Sequence, residues 1–307
     1  MKSICIGNHF INVKDYYCSQ GQDYIPREDG KLWLYVNITD ICPASCPFCV
    51  NPGRKSGTTP FALENFCETL KKIKQYVYGV SFTGGEPMLE PLLLDQAVKS
   101  AYQIMGSSVE LDMVTNGINL EVLPSLHFIN YLDSIHLSRH LISDQENSDL
   151  MGFSSPTWKQ IKECIDVLED PVRIVLNCIL QKGGIDNLEK MSLYLENAAD
   201  VGVRNVSFIG MIGANEYCYE HYVDPESIHV GEDDRFRIWN QFHDHDYCRC
   251  CSGDFRAKDR WIRFYYRVPG PKRASYARQL VYTSDNRLLC GFGGEEVVLR
   301  SEDKYGP

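Results

Sequence analysis

The sequence has no apolar run long enough to cross a bilayer, which takes about 20 consecutive residues, and it is short of positive charge. Against 41 aspartates and glutamates stand 31 lysines and arginines, for a net charge of −10. Such a deficit argues against a nucleic-acid polymer as partner, because sequence-independent binding to phosphate backbones depends on basic patches. A small nucleotide is not excluded. The opening Met1-Lys2-Ser3-Ile4-Cys5-Ile6 is too short an apolar stretch for a secretory leader. The expected setting is therefore cytoplasmic and away from membranes, in a reducing compartment where disulfides are rare. One reactive residue is plentiful: there are 13 cysteines, best explained there by metal binding or burial.

Three of them crowd one segment, Cys42-Pro43-Ala44-Ser45-Cys46-Pro47-Phe48-Cys49. Three thiolates so close suit three irons of a 4Fe-4S cube and leave the fourth iron open, where a plain electron carrier normally uses four cysteines. A zinc site needs a fourth Cys or His at a matching spacing, and none lies near. Downstream, the apolar run Val77-Tyr78-Gly79-Val80-Ser81-Phe82 ends in Thr83-Gly84-Gly85-Glu86-Pro87, where a helical pattern begins. A strand ending in two glycines lets backbone approach a small ligand with no Cβ in the way. Glu86 adds an acceptor beside it.

In this order and at this spacing the two motifs resemble the radical S-adenosylmethionine (SAM) superfamily, over residues 31 to 212 or so. The resemblance implies that Cys42, Cys46 and Cys49 ligate a 4Fe-4S cluster whose open iron is chelated by SAM. It also implies that Gly84, Gly85 and Glu86 bind SAM and that Phe48 lies beside the adenine.

Residues 32–243 alternate strand-like and helical patterns. Strands are expected at Leu32 to Ile38, Tyr78 to Phe82, Val109 to Thr115, Ser134 to Ser138, Val172 to Leu180 and Asn205 to Met211. Helices are expected at Phe61 to Tyr76, Pro91 to Met105, Thr157 to Leu168 and Leu188 to Val201, with Thr157 and Asn187 as caps. The expected fold is α/β, a partial (β/α)6 TIM-like barrel whose strands aim their C-terminal ends at one site. By resemblance, Ser138 and Asn177 at two such ends contact SAM. Arg139 and His140 are candidates for recognising substrate or the SAM carboxylate, or are a solvated polar pair. Thr115 and Asn116 suit a turn.

Beyond residue 243 the alternation ceases. Cys248, Cys250 and Cys251 cluster, and Leu280 to Cys290 reads as a β-hairpin turning at Ser284 to Arg287. Together with Cys290-Gly291-Phe292-Gly293-Gly294, this end resembles the C-terminal region of the GTP 3′,8-cyclases of molybdenum cofactor biosynthesis. That twitch module holds an auxiliary 4Fe-4S cluster. The resemblance implies Cys248, Cys251 and Cys290 as ligands, with Cys250 a further candidate. The basic motif that follows the second auxiliary cysteine in the cyclase is absent here, where Ser252-Gly253-Asp254-Phe255 stands instead, so the module is carried over and the reaction is not. The expected domains are an N-terminal extension (1–30), the barrel (31–243) and the auxiliary-cluster module (244–307). Between Cys251 and Cys290, cations from Arg256 to Arg278 interleave with Trp261, Phe264, Tyr265, Tyr266 and Tyr276, suiting an anionic or planar substrate or a solvated cover. The isolated Cys5, Cys18, Cys67, Cys164, Cys178 and Cys218 read as small buried hydrophobes.

The chemistry implied by the resemblance is one-electron cleavage of SAM to a 5′-deoxyadenosyl radical that abstracts hydrogen from a small molecule: a nucleotide, sugar or natural-product intermediate. An electron donor such as flavodoxin or ferredoxin would reduce the first cluster. The auxiliary cluster would accept an electron or bind substrate. A peptide maturase is the alternative within this chemistry, and a non-catalytic iron-sulfur sensor or binding protein the alternative outside it.

Overall fold

The computed structural model describes residues 2–7, 9–13, 16–18, 24–26, 31–51, 53, 55–168, 173–245, 248–269, 279–292 and 294–299. Two small hairpins come first, β1 (Lys2–Ile6) with β2 (His9–Val13) and β3 (Tyr16–Cys18) with β4 (Tyr24–Pro26). The alternating region follows: β5 (Leu32–Thr39), α1 (Leu63–Ile73), β6 (Val77–Gly84), α2 (Pro91–Met105), β7 (Glu110–Thr115) and β8 (Ser134–Ser138). It continues through α3 (Asp144–Met151), α4 (Trp158–Val167), β9 (Arg173–Ile179), α5 (Leu188–Asp200), β10 (Asn205–Ile209) and α6 (Glu216–Glu220). The chain ends in β11 (Phe236–His245), β12 (Cys248–Ala257), β13 (Arg260–Pro269), β14 (Gln279–Tyr282) and β15 (Leu288–Leu289). Among the described residues, no helix is long and apolar enough to cross a membrane.

The six expected barrel strands are present, and both expected caps form. Thr157 and Gln160 make a reciprocal capping box, and Asn187 accepts from the Lys190 amide. Between β7 and β8 the chain makes only 3-10 turns, one of them containing Pro124, because proline cannot donate to a helical ladder. The described part of the basic and aromatic stretch after Cys251 is largely sheet, and Lys272, Arg273, Tyr276 and Arg278 lie outside the described residues. Its period-two alternation, Ile262, Phe264 and Tyr266 against Arg263, Tyr265 and Arg267, was obscured by its charge. Cys164, Cys178 and Cys218 are buried as expected, whereas Cys5 is exposed.

Among the described residues the main sheet has 11 strands in the order β11-β12-β13-β10-β9-β8-β7-β6-β5-β14-β15. The neighbours from β13 through to β14 all run parallel. Residues 244–307 thus supply strands to both flanks of the barrel, and the expected hairpin is β14–β15. The sheet is strongly curved. Six strand spacings of about 4.8 Å would hold β5 and β13 about 29 Å apart in a flat sheet, yet Arg267 of β13 interacts electrostatically with Tyr35 of β5 and Asp112 of β7.

Alternation divides each strand between two environments. Leu34 and Val36, Val80 and Phe82, Leu111 and Met113, Ile135 and Leu137, Leu176 and Cys178, Val206 and Phe208 belong to the core shared with the helices. Their neighbours, Tyr35, Asn37, Ser81, Asp112, His136, Asn177 and Ser207, face the lumen. A parallel sheet covered on both sides is usually apolar on both; here the inner face is polar. Burial raises the Asp112 carboxyl to about 7, against the opposing pull of the Ser81 hydroxyl and the Arg267 charge.

Phe66 of α1 packs on Phe61, Phe82 and Tyr282 with ring centroids 5.6, 6.4 and 5.4 Å away. Phe66→Ala is expected to cost about 3–5 kcal/mol, read from urea unfolding. Asp112 gives a pH signature. The native state holds its proton more tightly than the unfolded chain, so its stabilising effect is full below the ordinary value of 3.8 and lost as pH rises through about 7. Asp112→Asn should flatten that decline in unfolding free energy.

Candidate metal centre and cofactor site

Cys42, Cys46 and Cys49 lie half-buried in the loop after β5. The Ser45 amide donates to the Met151 carbonyl at the end of α3 (2.8 Å), the Asn215 side chain to the Pro47 carbonyl (2.8 Å), and Lys55 Nζ to the Pro43 carbonyl (2.6 Å). Burial pushes Cys46 up to about 12, helped by the charges of Cys49 and Cys42; burial also raises Cys42 and Cys49. Thiols raised in this way stay protonated in the metal-free protein, and a coordinating metal deprotonates a thiol outright. Asn116 Nδ2 donates to Cys42 Sγ over 3.7 Å, a bond of the kind that tunes iron-sulfur clusters. An all-sulfur trio with an amide donor fits an iron-sulfur cluster. Among the described residues no three metal-binding side chains converge on a single-ion site, so the case rests on this donor set and on the family.

The end of β6 is zipped to that loop. The Gly85 amide donates to the Thr39 carbonyl (2.5 Å) and the Glu86 amide to the Ile41 carbonyl (2.8 Å). A Cβ on Gly84, whose φ is +132°, would stand 2.2 Å from the Thr39 carbonyl oxygen, and one on Gly85 2.3 Å from that of Ile41. These glycines permit a close approach to the cluster loop's own backbone. Glu86 is 1% exposed. Its carboxylate accepts from the Met88 amide (2.9 Å), the Thr115 hydroxyl (2.7 Å) and the Asn116 amide (2.6 Å), while burial raises its pKa to about 7. Thr115 and Asn116 serve the turn, accepting from the Gly117 and Ile118 amides, and are also joined to the site through Glu86.

Ser138 and Asn177 are register partners at the ends of β8 and β9. Beneath Ser138, His136 Nδ1 lies 3.2 Å from Asn177 Oδ1. Phe48 meets the His140 ring edge-on at 4.8 Å, and His140 Nδ1 accepts from the Ile179 amide (3.2 Å). Burial and the Arg139 charge push His140 down to about 3, so it is neutral. Arg139 is engaged in its own loop: it donates to the Pro156 and Ile142 carbonyls, pairs with Asp144 at 2.7 Å and lies over the Trp158 ring at 4.0 Å.

Cys248, Cys250 and Cys251 fall in β12, and their side chains lie outside the described residues. By register, Cys248 opposes His245 and Pro269, and Cys250 opposes His243. Since β12 is antiparallel to β13, which parallels β10, these backbone positions lie at the C-terminal end of the barrel strands. Cys290 follows β15, half-buried, its amide donating to the Glu295 carbonyl (2.9 Å).

A curved parallel sheet with three cysteines after its first barrel strand and a glycine-rich second strand end defines a cluster-bearing barrel enzyme. Residues 36–223 match the radical SAM superfamily, and the chain belongs to it; the family carries a 4Fe-4S cluster and SAM. Among similar curated proteins is a probable GTP 3′,8-cyclase of Saccharolobus islandicus, 27% identical over 208 residues, covering 66% of this chain and 64% of that protein. One from Sulfurisphaera tokodaii is 28% identical over 200 residues, covering 64% and 61%. The chain thus spans less than two thirds of these relatives' length. Among solved structures, Streptococcus suis SuiB bound to S-adenosylmethionine is similar with a TM-score of 0.57 at 14% identity, over 85% of this chain and 60% of SuiB. That likeness is one of fold.

Gly85→Ala places a Cβ against the Ile41 carbonyl and must displace the cluster loop. SAM binding, followed by its perturbation of the cluster's electron paramagnetic resonance signal, is expected to weaken about tenfold or more, equivalent to about 1.4 kcal/mol. Asn116→Ala removes a donor to Cys42 and should make the cluster harder to reduce, read as a more negative midpoint in a redox titration.

Proposed function

We propose that this radical SAM enzyme acts on a small polar molecule of the nucleotide, sugar or natural-product intermediate class and carries a second 4Fe-4S cluster. The observation supporting the substrate class is the polar lumen beneath the candidate SAM site. Cys42, Cys46 and Cys49 hold the first cluster, Gly84, Gly85 and Glu86 form the SAM-binding edge with Ser138 and Asn177, and Phe48 with neutral His140 flanks the adenine. When bound, cluster and SAM together supply a hydrogen-abstracting organic radical. The chain orients the substrate and keeps water from the reaction. Glu86 fixes the strand ends against the cluster loop, and Arg139 holds the loop that carries His140.

Cys248, Cys251 and Cys290 are proposed to hold the auxiliary cluster, with Cys250 as its spare or fourth ligand. It is supported by the cysteine spacing and by the cyclase relatives, whose reaction is not carried over at this identity and coverage. A reduced flavodoxin or ferredoxin supplies the electron, in the cytoplasm.

Anaerobically reconstituted protein should bind about eight irons, and the Cys42/Cys46/Cys49→Ala triple variant about four. About four in the parent and none in the variant would remove the auxiliary cluster. With dithionite and SAM, the parent should release methionine and 5′-deoxyadenosine; neither product would favour a non-catalytic iron-sulfur protein.

A further inference from the structure

The loop between β5 and α1, residues 40–62, carries all three cysteines of the first site, and one tight turn from the far end of the chain holds both its ends. At the entry, Ser284 Oγ donates to Asp40 Oδ1, just before Cys42. At the exit, Asn286 Oδ1 accepts from the Ala62 amide (2.8 Å) and Asn286 Nδ2 donates to the Pro60 carbonyl (2.8 Å). These bonds join residues 244, 224 and 226 positions apart in sequence. Asn286 Oδ1 accepts as well from the Tyr282 hydroxyl (3.1 Å), and the Tyr282 ring packs on Phe61 at 5.7 Å beside the same exit.

The turn closes through its own backbone. The Asn286 amide donates to the Thr283 carbonyl and the Thr283 amide to the Arg287 carbonyl, each at 2.9 Å. Asn286 has a φ of +66°, a left-handed conformation that asparagine tolerates better than most residues. The side chains of Ser284 and Asn286 therefore serve the loop, since the turn is already satisfied without them. Ser284 is 6% exposed, so water competes little for its bond to Asp40.

Asp40 is where the loop crosses itself. A Cβ on Gly53, in the returning limb, would stand 2.6 Å from Cys42 Cβ and 2.8 Å from the Asp40 carbonyl oxygen. The neighbouring carbonyls of Thr39 and Ile41 accept from the Gly85 and Glu86 amides. Because β5 lies between β6 and β14 in the sheet, the strand end leading to Cys42 is gripped from both flanks. The candidate SAM edge holds one side and the β14–β15 turn the other.

We infer that the β14–β15 turn is a clasp on the first cluster loop, with Ser284 and Asn286 as positioning residues that set the three thiols relative to the Gly84–Glu86 edge. The inference rests on the reading of Cys42, Cys46 and Cys49 as ligands of the cluster that meets SAM, and it does not require a cluster at Cys290. Cys290 follows β15 of the same hairpin, so the clasp also joins the two cysteine groups.

The test compares Ser284→Ala and Asn286→Gly with Arg287→Ala in anaerobically reconstituted protein. Asn286→Gly keeps the left-handed turn and removes the bridge; Arg287→Ala removes from the same turn a side chain that pairs with Asp285. SAM affinity is read from the SAM-induced change in the electron paramagnetic resonance signal of the reduced cluster. Loss of that signal to an iron chelator gives cluster retention, and the melting temperature of the metal-free protein reports folding. Ser284→Ala and Asn286→Gly should each weaken SAM binding about fivefold and speed cluster loss about as much, the scale of one net hydrogen bond. Arg287→Ala should match the parent. Should Asn286→Gly fail to fold, Ser284→Ala alone decides. Parent-like SAM affinity in the clasp variants, even with a lowered melting temperature, would mark a purely structural contact and overturn the inference, as would equal losses in Arg287→Ala. A parent whose reduced cluster does not respond to SAM would overturn the first-cluster reading together with the clasp, and is told apart because it appears before any substitution.

Discussion

The buried carboxylate of Glu86 holds the ends of β6 and β7 together, through the amides of Met88 and Asn116 and the hydroxyl of Thr115. The backbone of the same residue, with Gly85, holds the cluster loop through Thr39 and Ile41. Asn116, fixed on one side by Glu86, reaches Cys42 with its side chain on the other. The geometry of the thiol trio therefore depends on a group that is not itself a candidate cluster ligand. Moving Glu86 would shift two strand ends and a loop at once, because its oxygens satisfy buried amides that have no solvent to turn to.

The barrel built around this tie trades stability for a polar interior. Its outer face is an ordinary apolar core in which helices cover the sheet, anchored by aromatic contacts such as Phe66 on Phe82 and Tyr282. Its inner face carries a carboxylate, an imidazole, amides and hydroxyls whose burial costs free energy unless each finds a partner. Curvature lowers that cost, bringing Arg267 from one flank of the sheet towards Tyr35 and Asp112. A flat sheet with this inner face would be poorly compensated. Residues 244–307 contribute on both flanks: β12 and β13 extend one edge and supply the lumen's Arg267 and Tyr265, while β14 and β15 extend the other and bring Phe292 onto Tyr35.

Local rules were enough to read much of the chain. The six barrel strands, the helices after β6 and β9, the caps at Thr157 and Asn187 and the β14–β15 hairpin follow from period, propensity and side-chain capping, all of which act within a few residues. The thiol trio followed from spacing, since three candidate ligands on one loop are close in sequence as well as in space. The strands β11 to β13 were missed because their alternation of Phe, Tyr and Ile with Arg also reads as a basic, solvated surface; only pairing with β10 reveals which side chains turn inward.

By itself the sequence determined the family, the spacing of the candidate cluster ligands and the order of strands and helices, because each depends on near neighbours along the chain. Tertiary structure showed that the two glycines also permit a close approach to the backbone of the loop that carries the three cysteines. It also gave Asn116 its sulfur partner and enclosed Arg139 within its own loop. Finally, it assembled Ser81, Asp112, Ser134, His136 and Asn177 into one network. These residues are spread over almost a third of the chain, and only the closing of a curved sheet, driven by burial of its outer face, brings them within hydrogen-bonding distance.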